Sequence, residues 1–499
     1  MKKSYIAALI SFLLLTQLIL VNCKKDSSVD GNYQKPAEAS VPNKFIWNGM
    51  HDYYLWVDQV SNLSNSKYSI QDSLNRFLDQ YSDPEKLFYD LLYKYKVIDK
   101  WSFIANDAQT IEDWISGNSK TTGIDFMLGG IQNSTNLFGF VRYVLKGSPA
   151  DLAGVKRGDI FIKVDDQNIT EANYQTLLFS KDQYKFSFAT VVNGYLTPNN
   201  KSLTISAIQI QENPILMDTV LNVNGSKVGY LVYNQFNSDF DIQLNSVFKN
   251  FKDQGISKLI LDLRYNGGGS VTSAIYLASM IYGTDNNKIF LKSQYNKNLQ
   301  DYFTQNYGST SLLDYFTDKI AKTSTTAETP INSLGLSGLY VITTKNTASA
   351  SELLINGLKP YMQVKSIGTA TDGKYVASVT IQDIDSNGNV NTDDPWTMQP
   401  IVAKISNSQG VTDYVNGLSP DINTEEDISN LLPFGDPNET LLQAVLNDIQ
   451  GLPQKALKLK LATIGKLYDV KDAKPFAKSM YINPARINKF IKDNSLPKK

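Results

Sequence analysis

The chain has 499 residues, of which 42% are hydrophobic and 19% charged, and its formal net charge is −1. That is a globular composition, long enough for about two to four domains, and the near-neutral balance excludes a global basic field for nucleic acid. The chain has one cysteine, Cys23, and one histidine, His51; they exclude an intrachain disulfide and argue against a Ser-His-Asp triad or a Cys-His pair.

Met1-Lys2-Lys3 is a positive start, and Ile6 to Val21 is an apolar run broken by Ser11, Thr16 and Gln17. It is short for a membrane span and reads as a signal peptide over residues 1–22. Leu20-Val21-Asn22-Cys23 resembles a lipobox, with Asn22 where a smaller residue is usual. The likeness implies that Cys23 is lipidated and ties the protein to a bacterial cell-envelope membrane, facing the periplasm or the cell surface; an incidental thiol is the plain alternative. Lys24 to Ser40 is polar, so residues 23–42 form a tether.

Residues 43–118 have helical periodicity. Phe45, Met50, Tyr54 and Trp56 suit one helix, Leu74, Phe77 and Leu78 a second, and Leu87, Phe88, Leu91 and Leu92 a third. His51, in the first, is expected to be a surface or packing residue. Over residues 119–211, Gly147-Ser148-Pro149-Ala150, Ala153-Gly154-Val155 and Arg157-Gly158-Asp159-Ile160 resemble a PDZ domain. Such domains take an extended peptide as an added strand. The resemblance places the peptide loop at Gly123, Ile124, Asp125 and Phe126. A carboxylate at Asp125 is expected to oppose a peptide's own terminal carboxylate. A PDZ fold acting only as lid or spacer is the alternative.

Residues 212–450 alternate strands with helices, which implies an α/β core. Lys258 to Leu261 is a buried strand leading into Asp262-Leu263-Arg264-Tyr265-Asn266-Gly267-Gly268-Gly269. Its glycines permit close backbone approach to a ligand and present N–H donors. A phosphate loop is disfavoured, because the Lys-Ser/Thr ending and the dinucleotide spacing are missing. Asp262 and Arg264 are read as a structural ion pair. Residues 284–338 are polar and read as an excursion over the core.

Leu339 to Thr343 is a strand running into Thr347-Ala348-Ser349-Ala350-Ser351-Glu352 and a helical pattern. Ser349 therefore falls at a strand-to-helix turn, where it serves as an N-cap (Ser349 and Glu352 fit a capping box) or as a nucleophile over unpaired N–H groups. Lys374 follows 25 residues on, after a strand over 364–367 and a turn. A serine enzyme without a histidine needs another base, and a desolvated lysine is the usual one. Asp383, Asp385, Asn387, Gly388 and Asp394 have partial calcium-loop spacing, but a solvated hairpin turn is the preferred reading. No metal or cofactor is expected. Residues 451–499 hold 12 Lys/Arg against 3 Asp and read as a basic extension, either solvated or lying on anionic lipid or on the protein's own acidic face.

Taken together, Ser349-Ala350-Ser351-Glu352, Gly373-Lys374 and the Asp262 to Gly269 run resemble the C-terminal processing (tail-specific) peptidases, in the lipoprotein branch with a PDZ domain. The resemblance spans roughly residues 120–445. It implies a ClpP/crotonase-like α/β core and an exported Ser/Lys endopeptidase acting on protein or peptide substrates. By position it implies Ser349 as nucleophile, Lys374 as base, and the N–H groups of Ala350 and Gly268 as oxyanion donors. Two departures stand out. Ser378 replaces a glutamine that many members carry four residues after the lysine, and Pro360 replaces an aspartate found in some. A catalytically silent peptide-binding lipoprotein is the alternative.

Overall fold

The computed structural model describes residues 38–454, 464–470 and 476–487, apart from 69, 325, 385–388, 392–393 and 486. The signal-like run, Cys23 and half of the calcium-like loop, residues 385–388 and 392–393, lie outside the described residues.

The amino-terminal region forms helices α1 (Val41–Tyr53), α2 (Gln71–Leu78) and α3 (Pro84–Asp90). Ser40 caps α1, accepting from Asn43 N, and the helix buries Ile46, Trp47, Met50 and Tyr53 on one face. His51 stacks on Trp47 at 4.8 Å and its Nδ1 lies 2.7 Å from Asp52 Oδ1, a packing role as expected. The helices share one continuous apolar cluster with the α/β core, including Leu231, Leu261 and Met398. They pack directly on that core.

The second region is a PDZ-type sheet: β1 (Ile124–Ile131), β2 (Asn136–Val144), β3 (Ile160–Val164), β4 (Gln167–Thr170), helix α4 (Tyr174–Phe179), β5 (Gln183–Val192) and β6 (Tyr195–Ser206). It buries Phe126, Leu128, Phe161 and Phe186 in its own core.

The third region begins with the hairpin β7 (Ile215–Val223) and β8 (Ser226–Tyr233). Helix α5 (Asp241–Gln254), β9 (Lys258–Asp262), β10 (Gly268–Ser270) and α6 (Val271–Ile281) follow. Then come β11 (Ile289–Tyr295), β12 (Leu313–Tyr315), β13 (Gly338–Thr343), α7 (Ala350–Leu358), β14 (Gln363–Gly368), β15 (Val376–Ser378), β16 (Ile401–Asn407), β17 (Ile422–Asn423) and α8 (Thr440–Ile449). One sheet runs β7-β8-β9-β13-β14-β17 and is parallel from β8 onward. Its central strands are buried on both faces, as in Leu259, Ile260 and Leu261, and so read as continuous apolar runs. The stretch expected as an excursion instead supplies β11 and β12 to a second sheet.

Of the readings open for the tail, its described residues follow the one in which it lies on the protein itself, and they are not a solvated extension. Its residues form β18 (Ile464–Asp469), which joins the PDZ sheet beside β1, and β19 (Ser479–Tyr481), which lies between β10 and β15 in the second core sheet. The basic count concealed an apolar set, Val470, Met480, Ile482 and Ile487, that is buried.

PDZ and core meet through buried charge. Arg157 donates to Glu426 at 2.6 Å and to Tyr265 Oη at 2.9 Å. Arg264 pairs with Asp262, Glu426 and Glu439 at 2.7 to 2.8 Å. The ion pair read between Asp262 and Arg264 is thus present, and it anchors the start of the glycine run. Removing one partner would leave uncompensated buried charge.

Candidate active site

Ser349 sits where β13 turns into α7. Its backbone is left-handed, with φ of 66°, which is strained for a residue with a side chain. Glu352 holds that turn. Its Oε2 accepts from Ser349 N at 2.7 Å and from Lys374 N at 2.9 Å, while Oε1 accepts from Gly373 N at 2.7 Å and Thr371 Oγ1 at 2.5 Å. One buried carboxyl therefore ties the two segments together. The capping box read from the sequence is present: Glu352 accepts from Ser349 N, and the Ser349 side chain sits over the backbone N–H of Glu352 without reaching hydrogen-bond geometry. The Ser349 hydroxyl is buried and has no hydrogen-bond partner among the described residues. Ser351 Oγ, by contrast, donates to Asn266 O at 3.2 Å.

Lys374 is fully buried, and burial brings its amine down to about 7, against the opposing pull of Asp99, Asp372 and Glu352. Burial likewise pushes Glu352 up to about 7, opposed by its four donors. The Lys374 amine lies 5.5 Å from the centre of the Trp101 ring. Asp99 fixes that loop, accepting from Trp101 N at 3.0 Å, Ser102 N at 2.9 Å and Tyr54 Oη at 2.8 Å. Sequence periodicity gave no sign of Trp101 and Asp99 at this site. No hydrogen bond joins Lys374 Nζ to Ser349 Oγ; the amine donates to Lys478 O at 2.9 Å.

Ala350 opens α7, so its N–H has no intrahelical acceptor. Gly268 N–H, expected as a second donor, is taken by Asn266 Oδ1 at 2.8 Å. In this arrangement Gly268 supplies clearance: a Cβ there would lie 2.6 Å from Ser349 Cβ and 2.4 Å from Ser479 O. Ser378, at the position of the missing glutamine, accepts from Gln399 Nε2 at 2.9 Å and donates to Met480 O at 3.1 Å.

In the PDZ region, Gly123 has φ of 91°, and a Cβ there would strike Ser148 Oγ at 2.1 Å. Ile124, Asp125 and Phe126 line the groove between β1 and α4. Asp125 does not face a peptide unpaired: its Oδ1 accepts from Arg142 Nε at 2.5 Å, so its charge is met inside the domain. The repulsion expected from Asp125 overlooked that partner. Among the described residues, no cluster of three or more His, Cys, Asp or Glu could hold a metal.

Glu352→Gln is expected to keep the fold but lower kcat/KM about 100-fold, because an amide nitrogen cannot accept and leaves buried donors facing it. Steady-state kinetics alongside circular dichroism check this.

Fold and site together define a class: an α/β protein with a PDZ domain and a buried serine at a strained helix start, tied through the Glu352 carboxyl to the segment of a desolvated lysine. Peptidase family S41 matches residues 227–424, the peptidase S41 N-terminal domain residues 42–103, and a PDZ domain residues 140–182. The chain belongs to the S41 family of C-terminal processing peptidases. It is 24% identical over 293 residues to the chloroplastic C-terminal processing peptidase of Tetradesmus obliquus, covering 56% of each chain. It is 25% identical over 348 residues to a probable CtpA-like serine protease of Staphylococcus aureus, covering 66% of this chain. The matches span only 56% and 61% of the lengths of these two relatives. A solved Bacteroides fragilis structure named for the S41 proteases superposes with a TM-score of 0.62 at 26% identity, over 81% of this chain and 97% of the other.

Proposed function

We propose that this protein is a serine endopeptidase of the cell envelope, with Ser349 as nucleophile and Lys374 as general base, cleaving protein or peptide chains. The observation that carries the reading is the buried, unpartnered Ser349 hydroxyl at a strained helix start, linked through Glu352 to a lysine whose amine is brought down to about 7. A neutral Lys374 takes the Ser349 proton as Oγ attacks the scissile carbonyl, and the ammonium then returns it to the leaving amine. Ala350 N–H, at the start of α7, donates to the developing oxyanion. Water releases the acyl-enzyme. A peptide entering the PDZ groove as an added strand presents the chain to the cleft.

The test combines casein hydrolysis with a fluorophosphonate probe and mass mapping of the adduct. The expected adduct is on Ser349. Hydrolysis without modification of Ser349 would reject the assignment. Absence of both adduct and hydrolysis, in the wild type and in a variant with an opened cleft, would favour a catalytically silent peptide binder.

The anchoring is proposed on the lipobox-like position of Cys23. Cys23→Ser is expected to move the protein from the membrane fraction to the soluble fraction. Recovery of mature wild-type protein with unmodified Cys23, free of membrane, would overturn it.

A further inference from the structure

The groove of the PDZ region and the cleft at the glycine run are filled by two described stretches of the chain's own tail, residues 464–470 and 476–481. Strand β18 lies antiparallel to β1, with Leu467 opposite Gly129, Tyr468 opposite Leu128 and Asp469 opposite Met127. Val470 packs beyond it, in the cluster with Phe126 and Leu178. Asp469 accepts from Arg142 Nη1 at 2.7 Å, and the two side chains are only 3% and 1% exposed. The Arg142 guanidinium thus bridges Asp125 within the domain and Asp469 on the added strand.

Farther along, Phe476 packs on Phe103 and Trp114, with ring centres 4.1 and 4.7 Å apart. Residues 477–479 then cross the glycine run. A Cβ on Gly267 would lie 1.9 Å from Ala477 O, and one on Gly268 would lie 2.4 Å from Ser479 O, so these glycines clear the way for a passing backbone. Strand β19 pairs with β10, Gly268 with Ser479 through Ser270 with Tyr481. Lys478 reaches Asp372 at 2.7 Å, and its carbonyl accepts from the Lys374 amine.

That last contact is unproductive. For acyl transfer the scissile carbonyl oxygen must face the donors at the helix start, not the base. Here the carbonyl holds the base amine, and Ser349 Oγ is left without a partner. A segment in this pose occupies the site without meeting the geometry for cleavage.

We propose that groove and cleft form a single bipartite site for one extended polypeptide, with a carboxylate side chain docked on Arg142 and a basic residue nine positions later beside Asp372, and that residues 464–470 and 476–481 fill its two parts in cis as a pseudosubstrate. This rests on the peptidase reading for its consequence, inhibition, but not for the docking itself. Substrates of the site are then extended chains with that charge pattern, and they must displace the tail before Lys374 can turn to Ser349. The Asp469 contact, fully enclosed, carries more of the affinity than the partly exposed Lys478 contact.

The test uses the full chain. In a Ser349→Ala background, the tail is displaced by Asp469→Arg with Val470→Asp, and a fluorescein-labelled peptide of residues 464–482 is titrated by anisotropy. The peptide is expected to bind the displaced variant and not the undisplaced one. Replacing Asp469 by Ala in the peptide is expected to weaken binding by about tenfold or more, and replacing Lys478 by Ala by about two- to threefold. With Ser349 intact, displacement is expected to raise casein hydrolysis about tenfold or more. Equal binding to both proteins, no binding to the displaced one, or indifference to the Asp469 replacement would each overturn the proposal. Tight binding to a displaced protein that hydrolyses nothing would leave the docking standing and reject the peptidase reading instead.

Discussion

Ser349→Ala is expected to lower kcat/KM for peptide-bond hydrolysis by about 10⁴-fold or more, the scale on which loss of a serine nucleophile is felt, while Ser351→Ala keeps most of the activity. The two hydroxyls are two residues apart, and their surroundings separate them. Ser349 Oγ has no partner and stands at a left-handed turn beside Gly268. Ser351 Oγ is committed to Asn266 O, a bond that steadies the glycine run. Losing that bond costs about 1 kcal/mol of stability, seen as a lowered melting temperature with near-normal kinetics. Circular dichroism should show Ser349→Ala folded, since its hydroxyl supports nothing. An inactive Ser351→Ala beside an active Ser349→Ala would overturn the assignment.

Local chemistry carried much of the reading of this chain. The apolar run Leu259 to Leu261, the glycines after it and the small residues around Ser349 each follow from short-range patterning, and they place strands, turn and helix start where the structure has them. Long-range partners were illegible for a physical reason: an ion pair leaves no periodic trace. Arg142 lies on β2, 17 positions from Asp125, and nothing in the spacing marks it as the charge that neutralises that carboxylate. Asp99 and Trp101 reach Lys374 across more than 270 residues of chain. Glu352 was visible as a capping residue, but its hold on Gly373 and Lys374 exists only once the chain has folded back. The tail misled through its net charge, because the lysines outnumber the few apolar side chains that dock.

Lys374→Met is expected to abolish hydrolysis as completely as Ser349→Ala, and Lys374→Arg to do the same, because a guanidinium stays protonated in any accessible pH range and cannot take the serine proton. In the wild type, kcat/KM should rise with pH and level off above about 7, where the buried amine loses its proton. Glu352 ionises in the same range, so the rise belongs to the pair more than to either group. Asp99 and Asp372 face the amine and favour its charged form, so removing either charge should move the rise to lower pH. Stability carries the same signature with a definite sign. The amine titrates at about 7 when folded and at its usual 10.5 when unfolded. Between those values the unfolded chain holds more protons, so the Lys374 contribution to stability increases with pH and is lost as pH falls toward 7. Lys374→Met lacks this dependence. Its stability advantage over the wild type should therefore be greatest at about pH 7 and below, and should shrink toward about pH 10. Denaturation midpoints of the two proteins across that range measure the gap. A gap independent of pH, or a rate profile flat through about pH 7, would mean that Lys374 is not the desolvated base.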